Sequence, residues 1–521
     1  MCENQTSMKT FARIMALLLA LLTIAMVGVA CTQDTGDDTD DEGGSGLIDD
    51  RYDINGRLND NLPDTLNYEG DTISIMTWGD VENPEFEQEN VTGDNVRDAI
   101  YDRNNQIEDR LNVELKFTSV PGPYNGLMSS YLGHVDAIYQ ANTQDYDIIA
   151  SYSRAQGTLA VQGYLYNLAT VKSSYIDLEM PWWPQQLVET VSFGPGGYYF
   201  VSGDMSTNVL YMMHMMFLNK DMFSKHQLTI PYQDVYDGTW TIDKLIELST
   251  GIYVDKDKDN QVSGGDEFGF TAKDYVMDSF YIGSNMHWID EHETDWLTLS
   301  PDYTSAKTVK LINKLGAFAA TDDVWVGSSS MFGEENLSTE WNLFRQGKAL
   351  ISMQHASYGI SLTNVDFDYG LVPVPKYDAK QVNYYTGMGN PWTLYGIFVD
   401  FDDRGDKDGT LAMFSAVLEC YASEGYRLTT PEIFEVNMQL KYASGQDETN
   451  MFEYIRSGIT FDIGKIFGNE LSNISEMPSK AIAANASWSA TSGAYKRAIT
   501  AQVKDIVDGF KEYQAIRDTE R

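Results

Sequence analysis

The residues from Asp255 to Asp266 have the types and spacing of a calcium-binding loop. Carboxylates occupy loop positions one, three, five and twelve, and a hard cation with about seven oxygen ligands needs such a set. Asn260 stands where these loops usually carry glycine, and Asn tolerates the left-handed backbone that the turn requires. We predict a structural calcium site, the alternative being an acidic surface loop. Its ligands are Asp255, Asp257, Asp259, Asp266 and the backbone carbonyl of Gln261.

Motifs of common enzyme sites are absent from the sequence. It has no Gly-x-Ser-x-Gly and no complete Gly-x-Gly-x-x-Gly, and Gly347-Lys348 is followed by Ala349 rather than by Ser or Thr. The six histidines show no His-Glu-x-x-His spacing, which disfavours a zinc site. We therefore predict a non-enzyme without an organic cofactor. A glycosidase needs only two carboxylates about 5–9.5 Å apart, so a carbohydrate-cleaving enzyme stays open as the alternative.

The charge balance excludes one class of partner. The 521 residues include 77 acidic and 36 basic side chains, for a formal net charge of -41. Proteins that bind nucleic acid neutralise phosphates with a basic surface, which this composition does not supply. We expect no nucleic-acid partner, and the acidity also disfavours polyanionic ligands.

The N-terminus has the order of a bacterial export signal. Lys9 and Arg13 precede an apolar run from Ile14 to Ala30, which is short for spanning a bilayer core of ~30 Å. The segment from Val27 to Cys31 resembles a lipobox, which implies lipidation of Cys31. We predict a signal peptide over 1–30, with a membrane anchor helix as the alternative. The acidic, Gly-containing segment 31–69 predicts a flexible tether that holds the body at the extracellular face of the membrane.

The body alternates between short apolar runs and helical periodicity. Strands are predicted at 73–77, 113–118 and 146–150, with helices between them from Val96 to Leu111 and from Leu127 to Ile138. This β-α-β-α-β order predicts a parallel sheet covered by helices, in which ligands bind beyond the carboxyl ends of the strands. Further strands are predicted at 198–201, 349–353, 369–374 and 395–399, and further helices at 240–252, 306–320, 408–423 and 494–510.

Several segments in the body resemble extracellular solute-binding proteins of bacterial ABC importers, of the maltose-type sugar-binding family. The segments are Tyr146–Ser153 with Gly163–Leu168, Phe217–Phe223 with Gly238–Leu248, Phe344–Met353 and Phe367–Lys376. They occur in the order in which the family has them. The resemblance implies two α/β lobes that are joined by crossovers around a ligand cleft. By analogy, lobe 1 spans 70–208 and 395–468, and lobe 2 spans 209–394 and 469–521.

The resemblance also implies a function. The chain is expected to be a monomeric receptor that captures a carbohydrate, such as an oligosaccharide, and delivers it to ABC permease subunits. A receptor for a peptide or another solute on the same scaffold stays open as an alternative.

Sugar recognition calls for aromatic faces against the ring and for polar groups against its hydroxyls. Strand ends and family positions together nominate the candidate ligand-binding residues. They are Trp78, Asp80, Tyr152, Arg154, Asp204, Ser206, Tyr211, Gln354, Tyr358, Trp392 and Trp488. The methionines around His214 are predicted to fill the core, and Cys420 is predicted to be buried and inert.

Overall fold

The computed structural model describes residues 51–192, 194, 197–327, 339–433 and 445–519. The predicted signal peptide, the lipidation site Cys31 and the tether up to residue 50 lie outside the described residues. No helix within the described ranges is long and apolar enough to cross a membrane.

The first sheet has four strands in the order β11-β3-β1-β2. They are β1 (Asp71–Trp78), β2 (Val113–Val120), β3 (Ile148–Tyr152) and β11 (Thr393–Ile397). β1 pairs with β2 and with β3 in parallel, which confirms the predicted β-α-β-α-β unit. β11 joins β3 in the antiparallel direction. Every residue of β3 and β11 is buried, as expected where helices cover both faces of a sheet.

The second sheet has five strands in the order β10-β4-β9-β5-β8. β5 runs parallel to β8 and β9, whereas β4 is antiparallel to β9 and β10. A separate antiparallel hairpin is formed by β6 and β7. The strands are β4 (His214–Asn219), β5 (Phe268–Lys273), β6 (Ile289–His292), β7 (Trp296–Leu299), β8 (Val324–Gly327), β9 (Ala349–His355) and β10 (Tyr369–Val372).

Helices surround both sheets. Those that the sequence predicts lie close to their predicted ranges. In chain order the α-helices are α1 (Asn95–Leu111), α2 (Met128–Ala141), α3 (Ser153–Val161), α4 (Gln185–Val191), α5 (Thr207–Tyr211), α6 (Lys220–Lys225), α7 (Tyr232–Tyr236), α8 (Ile242–Ser249), α9 (Ser279–Gly283), α10 (Ala306–Ala319), α11 (Glu340–Arg345), α12 (Lys407–Glu424), α13 (Gln446–Ser457), α14 (Ile463–Ile466), α15 (Met477–Ala483) and α16 (Trp488–Thr519). Short 3₁₀ turns include Asp274–Asp278 and Ile474–Glu476.

One predicted strand is wrong. Residues 198–201 form no strand, because only Val201 pairs, in an isolated bridge with Tyr395 of β11. The apolar run is buried as a loop against the sheet edge, and burial alone does not distinguish such a loop from a strand.

Three chain segments cross side by side between the two sheets. The backbone of Gly389 donates to Met212 at 2.8 Å, and that of His214 donates to Gly387 at 3.0 Å. Thr386 then donates to Gly458 at 2.7 Å. The crossovers are therefore tied to one another by backbone hydrogen bonds, and the architecture is the two-lobed α/β fold that the sequence predicts.

The start of the body replaces part of the predicted tether. The side chain of Asp60 is fully buried and bonds Arg110 at 2.6 Å and Arg427 at 3.1 Å, and Leu62 is buried in the core. Burial opposes ionisation of Asp60, but its two arginine partners and Ser423 outweigh it and lower its pKa to about 2. Asp60 is thus held by an ion-pair network and Leu62 by the core, so the predicted tether over 31–69 is wrong in this part.

Two core predictions are confirmed. Met212, Met213, Met215 and Met216 are fully buried around the start of β4. Cys420 is a free thiol buried in α12, and burial raises its pKa, so the reactive thiolate is disfavoured.

Candidate functional site

A cavity of about 330 Å³ lies where strand ends of the two sheets meet. The first sheet contributes the end of β3 and the loops after β2 and before β11, and the second contributes the ends of β4, β5 and β9. Residues from α3, α14 and α15 complete the wall. The lining residues are Tyr124, Tyr152, Arg154, His214, Asp274, Tyr275, Asp278, His355, Gly389, Asn390, Pro391, Lys465, Glu476, Ser479 and Lys480.

Tyrosine rings form the wall on the side of the first sheet. Tyr152, the last residue of β3, lies 5.7 Å from the Trp78 ring and 5.5 Å from the Tyr124 ring, measured between centroids. Trp78 is itself fixed, since its Nε1 donates to Thr393 Oγ1 at 3.0 Å. Burial raises the pKa of Tyr152 to about 12, so its hydroxyl stays protonated. The result is a rigid aromatic surface of the kind that packs against apolar faces of ligands.

Two ion pairs cross the cavity wall. Arg154 bonds Glu476 at 2.7 Å, and Lys465 bonds Asp278 at 2.7 Å. Burial opposes ionisation of Glu476, but the charge of Arg154 outweighs it, so the pKa of Glu476 lies below its ordinary value. Lys480 also bonds Glu476, at 3.0 Å. The three cationic side chains of the cavity therefore all have carboxylate partners.

Two histidines stack face to face on the side of the second sheet. The rings of His214, at the start of β4, and His355, at the end of β9, lie 4.7 Å apart with 10° between their planes. They stack because β4 and β9 are antiparallel and pair these two residues in register. His214 Nδ1 is hydrogen-bonded to Ser279 Oγ. Burial lowers the pKa of His355 to about 3 and that of His214 well below its ordinary value, so both rings are neutral at physiological pH.

Several polar atoms of the cavity residues have no hydrogen-bond partner within the described part of the chain. They are Arg154 Nε, His214 Nε2, Asp278 Oδ1, Asn390 Oδ1 and both ring nitrogens of His355. Buried polar groups that stay unpaired cost about 1–3 kcal/mol each. Each of these atoms has less than 1 Å² of accessible surface, so they lie behind the cavity wall although their residues line it.

The structure brings two of the eleven predicted ligand residues, Tyr152 and Arg154, to this cavity. Three others support lining residues from behind. Trp78 packs on Tyr152, and the Tyr358 ring lies 6.0 Å from the His355 ring. Gln354 precedes His355 and donates through Nε2 to Glu340 at 3.0 Å. Trp78 and Gln354 do not line the cavity because their side chains are buried, whereas Tyr358 is half-buried beside the lining residue His355.

The remaining six candidates do not line the cavity. Trp488 is buried and donates to the Tyr303 carbonyl at 2.9 Å, and Trp392 packs on Phe461 at 5.1 Å. Asp80 accepts from the Asn125 backbone at 2.6 Å. Asp204 precedes α5 and has its pKa raised by burial to about 6. Ser206 and Tyr211 are buried at the two ends of α5.

Sequence reasoning missed most of the second-sheet side. His355 and Tyr275 stand at or just beyond the carboxyl ends of β9 and β5, so the strand-end rule that nominated Tyr152 also applies to them. His214 is the first residue of β4, so that rule does not nominate it. In the loop before β11 the prediction named Trp392, whereas Gly389 and Asn390 line the cavity. No local signal in the sequence marks Lys465 or Glu476.

The predicted calcium loop is formed in part. Carboxylate oxygens of Asp255, Asp257 and Asp259 converge to within 4.8 Å of one another. Asn260 has φ 58°, which confirms the predicted left-handed turn. Asp266 does not join this group, because its buried carboxylate accepts from Lys256 N at 3.0 Å and from Ser263 N at 2.9 Å. Three acidic side chains thus fit a calcium ion, while Asp266 holds the loop together.

A second cavity, of about 390 Å³, lies between α4, the β6–β7 hairpin and the segment before α14. Its lining carries Glu189, Asp290, Glu291 and Asp462, and His287 lies 3.5 Å from Asp462. Its one aromatic ring other than His287 is Phe461, which packs on Trp392. It offers an acidic surface without the tyrosine rings and stacked imidazoles of the first cavity.

Comparison with solved structures identifies the fold. The maltose/maltodextrin-binding domain of Bdellovibrio bacteriovorus, bound to maltotriose, is 13% identical at a TM-score of 0.50, and the match covers 86% of this chain and 100% of that one. Two ABC-transporter binding proteins match at a TM-score of 0.49 and 12% identity. That of Listeria monocytogenes, in complex with cycloalternan, covers 86% and 99% of the two chains, and that of Thermotoga lettingae, bound with alpha-D-tagatose, covers 84% and 100%. The structural neighbours are thus sugar-binding proteins of ABC transporters. No protein-family model matches the sequence, and no curated protein matches it.

Proposed function

We propose that this chain, which has the fold of sugar-binding proteins of ABC transporters, is a lipid-anchored extracellular receptor that captures a carbohydrate and delivers it to an ABC importer. The observation that carries the proposal is the cavity between the two sheets, with tyrosine rings on one side and histidine, amide and charged side chains in the rest of its lining. A sugar matches both, because its ring has apolar C–H faces and a rim of hydroxyls.

Capture follows from where the lining residues stand. Tyr152 belongs to the first sheet, whereas His355 belongs to the second, so a ligand that touches both is bound fully only when the lobes are close together. Ligand binding then shifts the population toward the closed form. The three hydrogen-bonded crossovers are the segments about which such closure takes place. The closed monomer is the form that permease subunits recognise.

The anchor is proposed from residues 1–31 of the sequence. Replacing Cys31 with Ala removes the residue that would be acylated. We expect the protein to move from the membrane fraction to the medium. Mass spectrometry should find that the new N-terminus no longer carries the mass of a lipid. Retention of the Cys31→Ala protein in the membrane would instead favour an uncleaved anchor helix.

Calcium is proposed as a structural ion at Asp255, Asp257 and Asp259, with the carbonyl of Gln261 as a further ligand. These carboxylates and the carbonyl supply the oxygen ligands that a calcium ion requires. Calorimetry on chelator-stripped protein should detect calcium uptake that Asp257→Ala and Asp259→Ala abolish. Calcium uptake that both variants retain would show that this loop is not the calcium site.

One screen separates the receptor from its alternatives. A thermal-shift panel of saccharides and short peptides identifies what is bound, and chromatography of the incubated saccharides detects cleavage. We expect a saccharide to raise the melting temperature and to be recovered intact. Cleavage products would establish the carbohydrate-cleaving alternative, and a shift with peptides alone would establish the peptide receptor.

A further inference from the structure

We propose that one surface of the body, formed by α10, α15 and the first half of α16, binds the anionic lipid surface of the membrane. The inference rests on the proposed location of the chain at the membrane, and it does not depend on which ligand the cavity binds. It follows from where the basic residues of this acidic chain are concentrated and from which of them have no ion-pair partner.

Two segments of the sequence carry basic residues and no acidic ones. In the whole chain, 77 acidic side chains stand against 36 basic ones. Residues 303–320 and 477–504 contain no Asp or Glu, so the balance is reversed there. Their basic residues are together called the basic face, and they are Lys307, Lys310, Lys314, Lys480, Lys496, Arg497 and Lys504.

The fold brings these two segments together. α10 packs against both α15 and α16. At one point of contact, a Cβ on Gly316 of α10 would lie 2.9 Å from Asn485 Oδ1 in the turn between α15 and α16. At another, Lys496 Nζ of α16 donates to Thr304 Oγ1, which precedes α10, at 3.5 Å. The basic face therefore belongs to one group of adjacent helices.

Three members of the basic face are unpaired cations at the surface. Lys310, Lys496 and Arg497 are exposed, and none of them forms an ion pair with a residue that the structure describes. Residues 493–498 of α16 are all exposed, so no side of the helix is buried there. Tyr495, in the same turn, is 46% exposed. A tyrosine beside cations is typical of protein surfaces at the interface between membrane and water.

The other members of the basic face have partners. Lys314 bonds Asp243 at 2.5 Å, Lys480 bonds Glu476, and Lys504 bonds Asp508. Lys307 is half-buried and donates to the Ser284 carbonyl at 2.5 Å. The positive charge that remains for a partner is therefore that of the three unpaired cations.

An anionic lipid surface attracts these cations although the chain as a whole is acidic. Charges separated by more than ~8 Å are largely screened at physiological salt, so carboxylates elsewhere on the body have little effect on this contact. Each Lys or Arg that reaches an anionic lipid surface strengthens binding roughly fivefold. An acidic protein is the competing partner. The exposed tyrosine and the lipobox-like segment at Val27–Cys31, which would hold the body at the membrane, favour lipid.

The test measures binding of the unacylated Cys31→Ala protein to vesicles by flotation. Phosphatidylglycerol vesicles supply an anionic surface, and phosphatidylcholine vesicles supply a neutral one. At low salt we expect binding to the anionic vesicles to be at least tenfold stronger. The difference should disappear at about 1 M salt, where the screening length falls to ~3 Å. Equal binding to both vesicles, or binding to neither, would overturn the inference and leave sugar binding by the cavity intact.

Charge-reversal variants assign the binding to the basic face. Changing Lys310, Lys496 and Arg497 together to Glu should weaken binding to the anionic vesicles at least tenfold. The matched control changes three exposed basic residues elsewhere to Glu, so both variants have the same net charge. These are Arg97, Lys116 and Lys172. The control should stay within about twofold of its parent, because its changes lie outside the contact.

The remaining outcomes are also decisive. An equal loss of binding in the two triple variants would show that net charge, and not the basic face, determines binding, and would overturn the inference. Binding to poly-glutamate but not to phosphatidylglycerol vesicles would overturn it in favour of an acidic protein partner. Melting temperatures show which variants are folded. If the basic-face variant does not fold, the double variant Lys496→Gln with Arg497→Gln decides, and unchanged binding in it would overturn the inference.

Discussion

The two sides of the cavity offer different chemistry to a ligand. On the side of the first sheet, Tyr152 is packed between Trp78 and Tyr124 and supplies an apolar face. On the side of the second sheet, His214 and His355 are equally buried, but some of their ring nitrogens have no hydrogen-bond partner among the described residues. Burial is thus accompanied by ring packing on one side and by the stacking of two polar rings on the other.

This difference separates affinity from selectivity. Aromatic packing on a sugar face does not depend on which hydroxyls the sugar carries, so the tyrosine side contributes to binding of many rings. Hydrogen bonds to fixed imidazoles depend on the position and charge of each substituent. Changes on the first side should therefore weaken all ligands alike, whereas changes on the second should alter the ranking of ligands.

The largest effect is expected from Tyr152→Ala. The change removes a buried ring that contacts Trp78 and Tyr124, and truncation of buried aromatic residues lowers the free energy of unfolding by about 3–5 kcal/mol. Tyr152→Phe keeps the ring and should lose less than about 1.5 kcal/mol. Denaturant titration measures both. Equal losses in the two variants would show that the hydroxyl, and not the ring packing, is what matters on this side.

A smaller effect is expected when the ion pair beside Tyr152 is broken. Glu476→Gln leaves the buried Arg154 without its carboxylate, so unfolding free energy should fall by about 3 kcal/mol. The surface pair of Lys172 and Asp408 is the control, since Lys172→Ala should change the free energy of unfolding by less than about 1 kcal/mol. Similar changes in the two variants would mean that the cavity pair is as well solvated as a surface pair.

The histidine side should make stability depend on pH. The pKa of His355 is about 3 in the folded protein and about 6.5 when unfolded, so between these values the unfolded chain binds a proton that the folded chain does not. Stability therefore falls as pH drops, by about 2 kcal/mol from pH 7 to pH 5 for this residue. In His355→Leu, the free energy of unfolding should fall by about 2 kcal/mol less between these two pH values, as measured by denaturant titration. An unchanged pH dependence would show that His355 is protonated in the fold.

The smallest effect on ligand binding is expected from the acidic loop. Asp257→Asn and Asp259→Asn lie outside the cavity lining, so sugar affinity should stay within about twofold of the wild type. Their effect should instead be on stabilisation by calcium, which for a specific site reaches about 2.7 kcal/mol at a concentration of 100 times the Kd. A change in sugar affinity as large as that of His355→Leu would show that the loop is coupled to the cavity. The contrast between the tyrosine and histidine sides of the cavity would then not account for sugar binding.

The sequence predicts the first sheet better than the second. The strands and helices up to β3 follow one another as a local β-α-β-α-β pattern. Tyr152 is the last residue of β3, and Arg154 follows in the next helix. The second sheet is assembled from β4, β5, β8, β9 and β10, which are far apart in the sequence. The pairing of His214 with His355 depends on that register, so neither residue stands out locally.

That Trp392 and Trp488 do not line the cavity has a related cause. Trp392 and Trp488 have the residue type that sugar sites use, but large rings are also the main material of protein cores. Trp488 donates to Tyr303, and Trp392 packs on Phe461, which are contacts between segments distant in the chain. Residue type indicated the chemistry of the site, and only the packing between distant segments determined which rings reach the cavity.

The central claim is that a saccharide binds between the tyrosine and histidine sides of this cavity. A crystal structure of the chain with the neutral sugar that gives the largest thermal shift tests it most directly. We predict electron density for the ring against Tyr152, with hydroxyls in hydrogen-bond contact with His355 and Asn390. Density at the acidic cavity of Glu189 and Asp290, or beside Trp392 and Trp488 with the His214–His355 cavity free of sugar, would contradict it.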